Sequence, residues 1–348
     1  LLWFGEIPKP TVESGWEKIR DLNFLIYISY ILNNCPKSNS GFLFLGEDIM
    51  DKHIKGALLV CLAATMWGFD GIALTPRLFN LHVPFVVFIL HLLPLILMSV
   101  IFGKEEIKNI RKLDKNDLFF FFCVALFGGS LGTLSIVKAL FLVNFKHLTV
   151  VTLLQKLQPI FAILLARILL KEKLKKDYLF WGFLALLGGY FLTFEFNIPE
   201  VVEGDNLLAA SLYSLLAAFS FGSATVFGKR VLKAASFRTA LYVRYLMTTC
   251  IMFVIVAFTS GFGDFSQATA GNWLIFVIIA LSTGSGAILL YYFGLRYITA
   301  KVATMCELCF PISSVIFDYF INGNVLSPVQ IASAILMIIS IIKISRLN

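Results

Sequence analysis

The chain of 348 residues is 59% hydrophobic and 14% charged, whereas a soluble domain is roughly half apolar and a quarter charged. Its net charge of +8 invites a nucleic-acid partner. The basic residues lie in short segments between apolar runs, however, and form no single patch, which argues against one. The composition, with 35 Phe and 24 Gly, suits a bilayer, where Gly is commoner in helices than it is in soluble proteins.

Residues 1–49 stand outside the membrane pattern. They begin at Leu1 and mix charged residues with one apolar stretch, Phe24 to Leu32, too short to span. The membrane pattern starts at Met50. Gly46-Glu47-Asp48-Ile49 before it can be encoded by a purine-rich tract that resembles a bacterial ribosome-binding site. The expectation is that 1–49 is upstream sequence translated in error, or else a disordered extension. A signal peptide would need a basic n-region with an adjoining cleavage site.

Crossing a bilayer takes about 20 apolar residues. Ten segments qualify: 54–74, 85–102, 118–142, 147–170, 178–195, 206–228, 237–259, 272–295, 299–321 and 328–345. The connectors are short and some are turn-like, such as Ser260-Gly261-Phe262-Gly263. With the start of the first span in the cytoplasm, the inner connectors hold 20 Lys and Arg and the outer ones only Arg77 and Lys146. This bias predicts an even number of spans in the inner (plasma) membrane, with both termini cytoplasmic.

Five of the six cysteines, Cys61, Cys123, Cys250, Cys306 and Cys309, fall inside apolar runs. Disulfide frameworks belong to small secreted domains. Cys306 and Cys309 form a CxxC pair with no second pair and no nearby His, so they are expected to act as small buried hydrophobes.

Internal self-similarity defines the architecture. Ala63-Ala64-Thr65-Met66-Trp67-Gly68 aligns with Ala217-Ala218-Phe219-Ser220-Phe221-Gly222. Further on, Ser130, Gly132, Gln155, Pro159 and Leu174 align with Ser282, Gly284, Glu307, Pro311 and Leu326 at a constant shift. Spans one to five therefore correspond to spans six to ten. A five-span unit ends on the side opposite its start, so its duplicate inserts upside down. The predicted fold is an all-α integral membrane protein. Its ten transmembrane helices form two inverted five-helix repeats, residues 50–196 and 206–348. Carriers with this architecture bind cargo near the bilayer midplane, between the repeats.

Several of these residues resemble the drug/metabolite transporter superfamily, in particular its EamA-type ten-helix members. They are Trp67-Gly68 with its echo Phe221-Gly222, and Pro84 followed seven residues on by His91, a position that is usually Arg and whose counterpart is Arg244. To these are added Leu169-Leu170-Lys171-Glu172-Lys173-Leu174 and Gly188-Gly189. The resemblance covers roughly 50–348 and departs at His91 and at Asn324, where many members have Glu after Gly. It implies a metabolite carrier, often an exporter, with a central cavity lined by both halves. The superfamily handles amino acids, nucleotide sugars, phosphorylated sugars and drugs, so it implies no single cargo.

An ionisable group at bilayer depth costs about 2.5 to 3.5 kcal/mol and normally faces a wet interior. The candidates are Asp70, His91, Lys138, Lys156, Arg244 and Glu307. Gln155-Lys156 and Glu307 occupy equivalent places just ahead of Pro159 and Pro311, and a proline frees a backbone carbonyl. They are read either as a substrate or coupling-ion site, with Glu307 as the proton-coupling residue, or as a pair holding the halves together. Three cations, Arg244, Lys138 and Lys156, against two acids, Asp70 and Glu307, suggest an organic anion or an amino acid as cargo. Arg244 is first choice for its carboxylate. Trp67, Tyr291 and Tyr292 are candidate cavity aromatics, with packing as the alternative.

No P-loop, metal-ligand spacing or nucleophile–base pattern is visible. No cofactor, metal or catalytic group is therefore expected, and the partners are a small-molecule substrate and the lipid bilayer. A flippase for a lipid-linked substrate is the alternative, a polytopic membrane enzyme a more distant one. Oligomeric state, a homodimer included, is left open.

Overall fold

The structure is a computed structural model. It describes residues 52–142, 154–155, 157–196, 207–259, 261–323 and 325–347. The expected extension 1–49 lies outside the described residues. Among the described residues, nine helices are long and apolar enough to cross a membrane: α1 (Lys52–Leu78), α2 (Val83–Ile110), α3 (Lys115–Ala139), α5 (Lys176–Phe194), α6 (Leu208–Val231), α7 (Phe237–Phe258), α8 (Ala270–Leu295), α9 (Ala300–Ile321) and α10 (Pro328–Ser345). A shorter apolar helix, α4 (Gln158–Leu169), lies within the expected span four. Of the expected span 147–170, residues 147–153 and Lys156 lie outside the described residues.

α2 runs well past the expected end at 102. Its continuation, Gly103-Lys104-Glu105-Glu106-Ile107-Lys108, is rich in helix formers, so the helix outlasts its apolar part. Elsewhere the ends follow local chemistry. Thr269 with Asn272, and Ser327 with Gln330, form reciprocal caps at the starts of α8 and α10, satisfying amides that helical geometry leaves open.

The closest helix pairs are α1 with α8 and α9, α6 with α3 and α4, α2 with α7, and α5 with α10. Adding five to each helix number maps the set onto itself. That is the signature of a two-fold relation between inverted five-helix repeats. Each of these pairs joins one repeat to the other, so the core is the seam between the halves. Two glycines show how close the approach is. A Cβ on Gly68 would lie 2.9 Å from the Phe310 carbonyl oxygen of α9, and one on Gly222 would lie 2.7 Å from the Gln158 carbonyl oxygen of α4. Small residues allow such contact in bilayers, where helix association relies on packing.

The two ends of the bundle close differently. At the basic end, Arg238 of α7 binds Glu106 at 2.6 Å and Glu105 at 2.7 Å, both on α2, and Glu106 is fully buried. Thr239 also donates to Glu106, at 2.7 Å. At the opposite end, buried apolar side chains including Leu78, Phe85, Met252 and Phe276 form a cluster. Above it, Asp264 accepts from the His82 backbone N–H at 2.6 Å, and Asn272 donates to Asn80 at 3.0 Å.

Candidate functional site

Between the halves lies a cavity of about 350 Å³, lined from α1, α2, α3, α6, α7, α8 and α9, with Gln155 and Gln158 from the fourth span. Three of these helices widen into π turns, at Asp70–Leu74, Val124–Leu131 and Ala280–Gly284. Each turn supplies lining residues: Asp70, Gly128, and Thr283 with Gly284. α9 is interrupted as well, between Ala300–Cys306 and Cys309–Asn322, and Glu307 sits in that break. Such irregularities expose backbone groups and recur at functional sites.

Glu307 is held by both halves. Gln158 Nε2 donates to it at 2.5 Å, Thr225 Oγ1 at 3.0 Å and the Tyr291 hydroxyl at 2.8 Å. Arg244 donates to the Gly128 carbonyl of α3 and to the Tyr292 hydroxyl, each at 3.3 Å. Its Nε is buried with no hydrogen-bond partner, and among the described residues no carboxylate pairs with it. A buried donor left open costs about 1–3 kcal/mol, so the guanidinium is primed for an acceptor. Asp70 accepts from Thr75 at 3.0 Å, and His91 Nδ1 lies 2.8 Å from the Val87 carbonyl of its own helix. Trp67 and Tyr291 stand with ring centroids 5.5 Å apart and planes at 46°, and Phe221, Tyr245 and Phe310 complete an aromatic wall.

Of the residues singled out from sequence, the cavity gathers Trp67, Asp70, His91, Gln155, Arg244, Tyr291 and Glu307. Two stand elsewhere. Lys138 is exposed on α3 and does not line the cavity. Tyr292 is 1% exposed and sits behind Arg244, which it positions. Lys156 lies outside the described residues. The charge count that suggested an anionic cargo changes accordingly: among the described lining residues, Arg244 faces Asp70 and Glu307, and no cationic excess remains. Gln158 and Thr225 were missed. Both are uncharged and sit in apolar runs, and the one hint was their closeness to Pro159 and Gly222. Among the described residues no group of His, Cys, Asp or Glu could hold a metal.

A ten-helix inverted repeat with a cavity on its seam is the architecture of a carrier. The chain belongs to the EamA-like transporter family, which matches residues 54–194 and 208–346, one match per repeat. It is thus a multi-pass membrane transporter of a small molecule. It is 90% identical over 299 residues to a protein named riboflavin transporter ImpX, from Fusobacterium nucleatum subsp. nucleatum, and this match covers 86% of the chain and all of that relative. The cargo in that relative's name is neither the amino acid nor the organic anion expected from the charge count. A protein crystal structure with 14% identity shares the fold, at a TM-score of 0.62 over 84% of this chain and 98% of that one.

Proposed function

We propose that the cavity carries riboflavin, or a flavin of its size, by alternating access. The observation that carries the proposal is the open Arg244 guanidinium in an aromatic-walled cavity whose described lining residues hold no cationic excess. A flavin ring is planar, conjugated and uncharged. It stacks on aromatic faces such as Trp67 and Tyr291, and its pyrimidine edge offers carbonyl and ring-nitrogen acceptors to Arg244 and amide partners to Gln155 and Gln158. The hydroxylated side chain of riboflavin suits Asp70, Thr225 and Glu307. A cavity of about 350 Å³ falls within the roughly 300–1,000 Å³ typical of small-molecule sites. The relative named for riboflavin transport supports the same cargo.

Rocking the halves must break and remake the Gln158–Glu307 bond across the seam, so cargo or a proton at Glu307 can gate the step. We assign Glu307 the coupling role on that ground. The 20-to-2 charge bias supports a cytoplasmic basic end.

The test is counterflow of labelled riboflavin by the purified protein in proteoliposomes, with flavin fluorescence quenching as the binding readout. Riboflavin is expected to quench and to exchange, while amino acids and organic anions do not compete. Exchange of an organic anion without any response to riboflavin refutes the reading.

A further inference from the structure

Three cysteines outside the cavity are brought together by the interleaving of the halves. α1 and α9 run in the same direction: Gly56 lies against Tyr297 and Ile298, and Gly68 lies against Phe310 and Ser313. Cys61 is seven residues before Gly68, and Cys306 is seven before Ser313. Seven residues is about two helical turns, so, with the break in α9 at Glu307 allowed for, the two thiols fall within about one turn of the same height. The three thiols of Cys61, Cys306 and Cys309 are neighbours across the seam. Cys306 is fully buried, while Cys61 and Cys309 are partly exposed. The cluster joins the first repeat, through Cys61, to the second, through the CxxC pair. That pair brackets Glu307, the residue bonded across the seam to Gln158.

We propose that Cys61 and Cys306 are a modification site: a lipid-soluble two-electron oxidant of the quinone class converts them to a disulfide that locks the halves together. Each thiol gives up one proton and one electron and one S–S bond forms. The quinone takes both electrons and both protons and leaves as hydroquinone. A disulfide requires Cα atoms about 4.4–6.8 Å apart, and the helices approach closely on both sides of Cys61, at Gly56 and at Gly68. Cys309 lies within reach of the same bond, and its thiol can attack it and move the bridge by exchange. With α1 tied to α9, the seam beside Glu307 cannot open, so the oxidised carrier stops. A dithiol reductant returns it to service.

The experiment uses the full chain with a protease site inserted in the 197–206 connector. Membranes are treated with a quinone, remaining thiols are capped with N-ethylmaleimide, and the connector is then cut. The halves are expected to stay joined on a non-reducing gel and to part with reductant. Riboflavin counterflow is expected to fall at least about tenfold, as for a carrier held in one of its two states, and to recover with reductant. In Cys61→Ser, and in Cys61→Ala should the first variant insert poorly, the halves part and quinone leaves transport unchanged. Separate halves in the oxidised wild type, or a link that persists in both Cys61 variants, overturn the bond. Joined halves with unchanged counterflow overturn the lock. The gel decides the bond without reference to cargo, so a failure of the flavin reading shows separately, as absent counterflow in the untreated protein.

Discussion

The two repeats share one backbone plan and equip the cavity differently. In the first, His91 lies beside the carbonyl of Val87 on its own helix. Its counterpart in the second, Arg244, reaches across the seam to Gly128 and keeps one donor open. Gln155 in the first repeat matches Glu307 in the second, and Asp70 in the first matches Ala224 in the second. Duplication supplied the geometry, and divergence at matched positions supplied the chemistry. The second repeat holds the guanidinium and the bridging carboxylate, and the first contributes Trp67, Asp70 and the amide of Gln158.

Substitutions at matched positions can break or sharpen this contrast. The largest effect is expected from Arg244→Leu. Losing hydrogen bonds from a buried charge costs about 1.5–3 kcal/mol, so riboflavin affinity should weaken roughly 10- to 100-fold by fluorescence titration. Next come Gly68→Ala and Gly222→Ala, which probe symmetry itself. Each puts a methyl against a carbonyl of the opposite half, and overpacking costs about 1–3 kcal/mol. Similar drops in melting temperature are expected for the two, and a large difference would mean that the seam is not equivalent on its two sides. Glu307→Gln keeps the shape but removes the charge and the proton site. It should slow counterflow about tenfold, roughly 1.4 kcal/mol, and flatten the response of uptake to external pH. An undiminished pH response removes Glu307 from the coupling role. His91→Gln should be the mildest, with affinity changed less than about threefold, roughly 0.65 kcal/mol, because its Nδ1 is already engaged within its own helix. An effect as large as that of Arg244→Leu would erase the contrast between the halves.

Much of the architecture was legible because a bilayer demands long apolar runs and biases charge between them. The inverted repeat followed from the parity of a five-span unit, and the pairing of α1 with α9 and of α6 with α4 now gives it a physical form. Depth along a helix also pointed to Arg244 and Glu307, since a buried charge carries a visible cost, whereas Asp70 stood nearer a helix end. Depth does not give direction around the helix. Lys138 faces outward for that reason, and Tyr292 turns away from the cavity while its neighbour Tyr291 lines it. Gln158 and Thr225 carry no charge to betray them, and only the tertiary bond to Glu307 singles them out. The π turns at Asp70, Gly128 and Thr283 have no compositional mark. The CxxC pair, expected to act as packing, met its third thiol from a helix at the other end of the chain.

That long reach bears on how the molecule assembles. Gly68 meets Ser313 across most of the sequence, and contacts so distant in the chain form late. During synthesis the first helix therefore crosses the bilayer long before its partner exists. The part of its face around Gly68 stays uncovered until the ninth helix has inserted. Membrane insertion and packing are thus separated in time, and a truncation before residue 300 is expected to leave a protein that spans the membrane but cannot close the α1–α9 and α5–α10 parts of its seam.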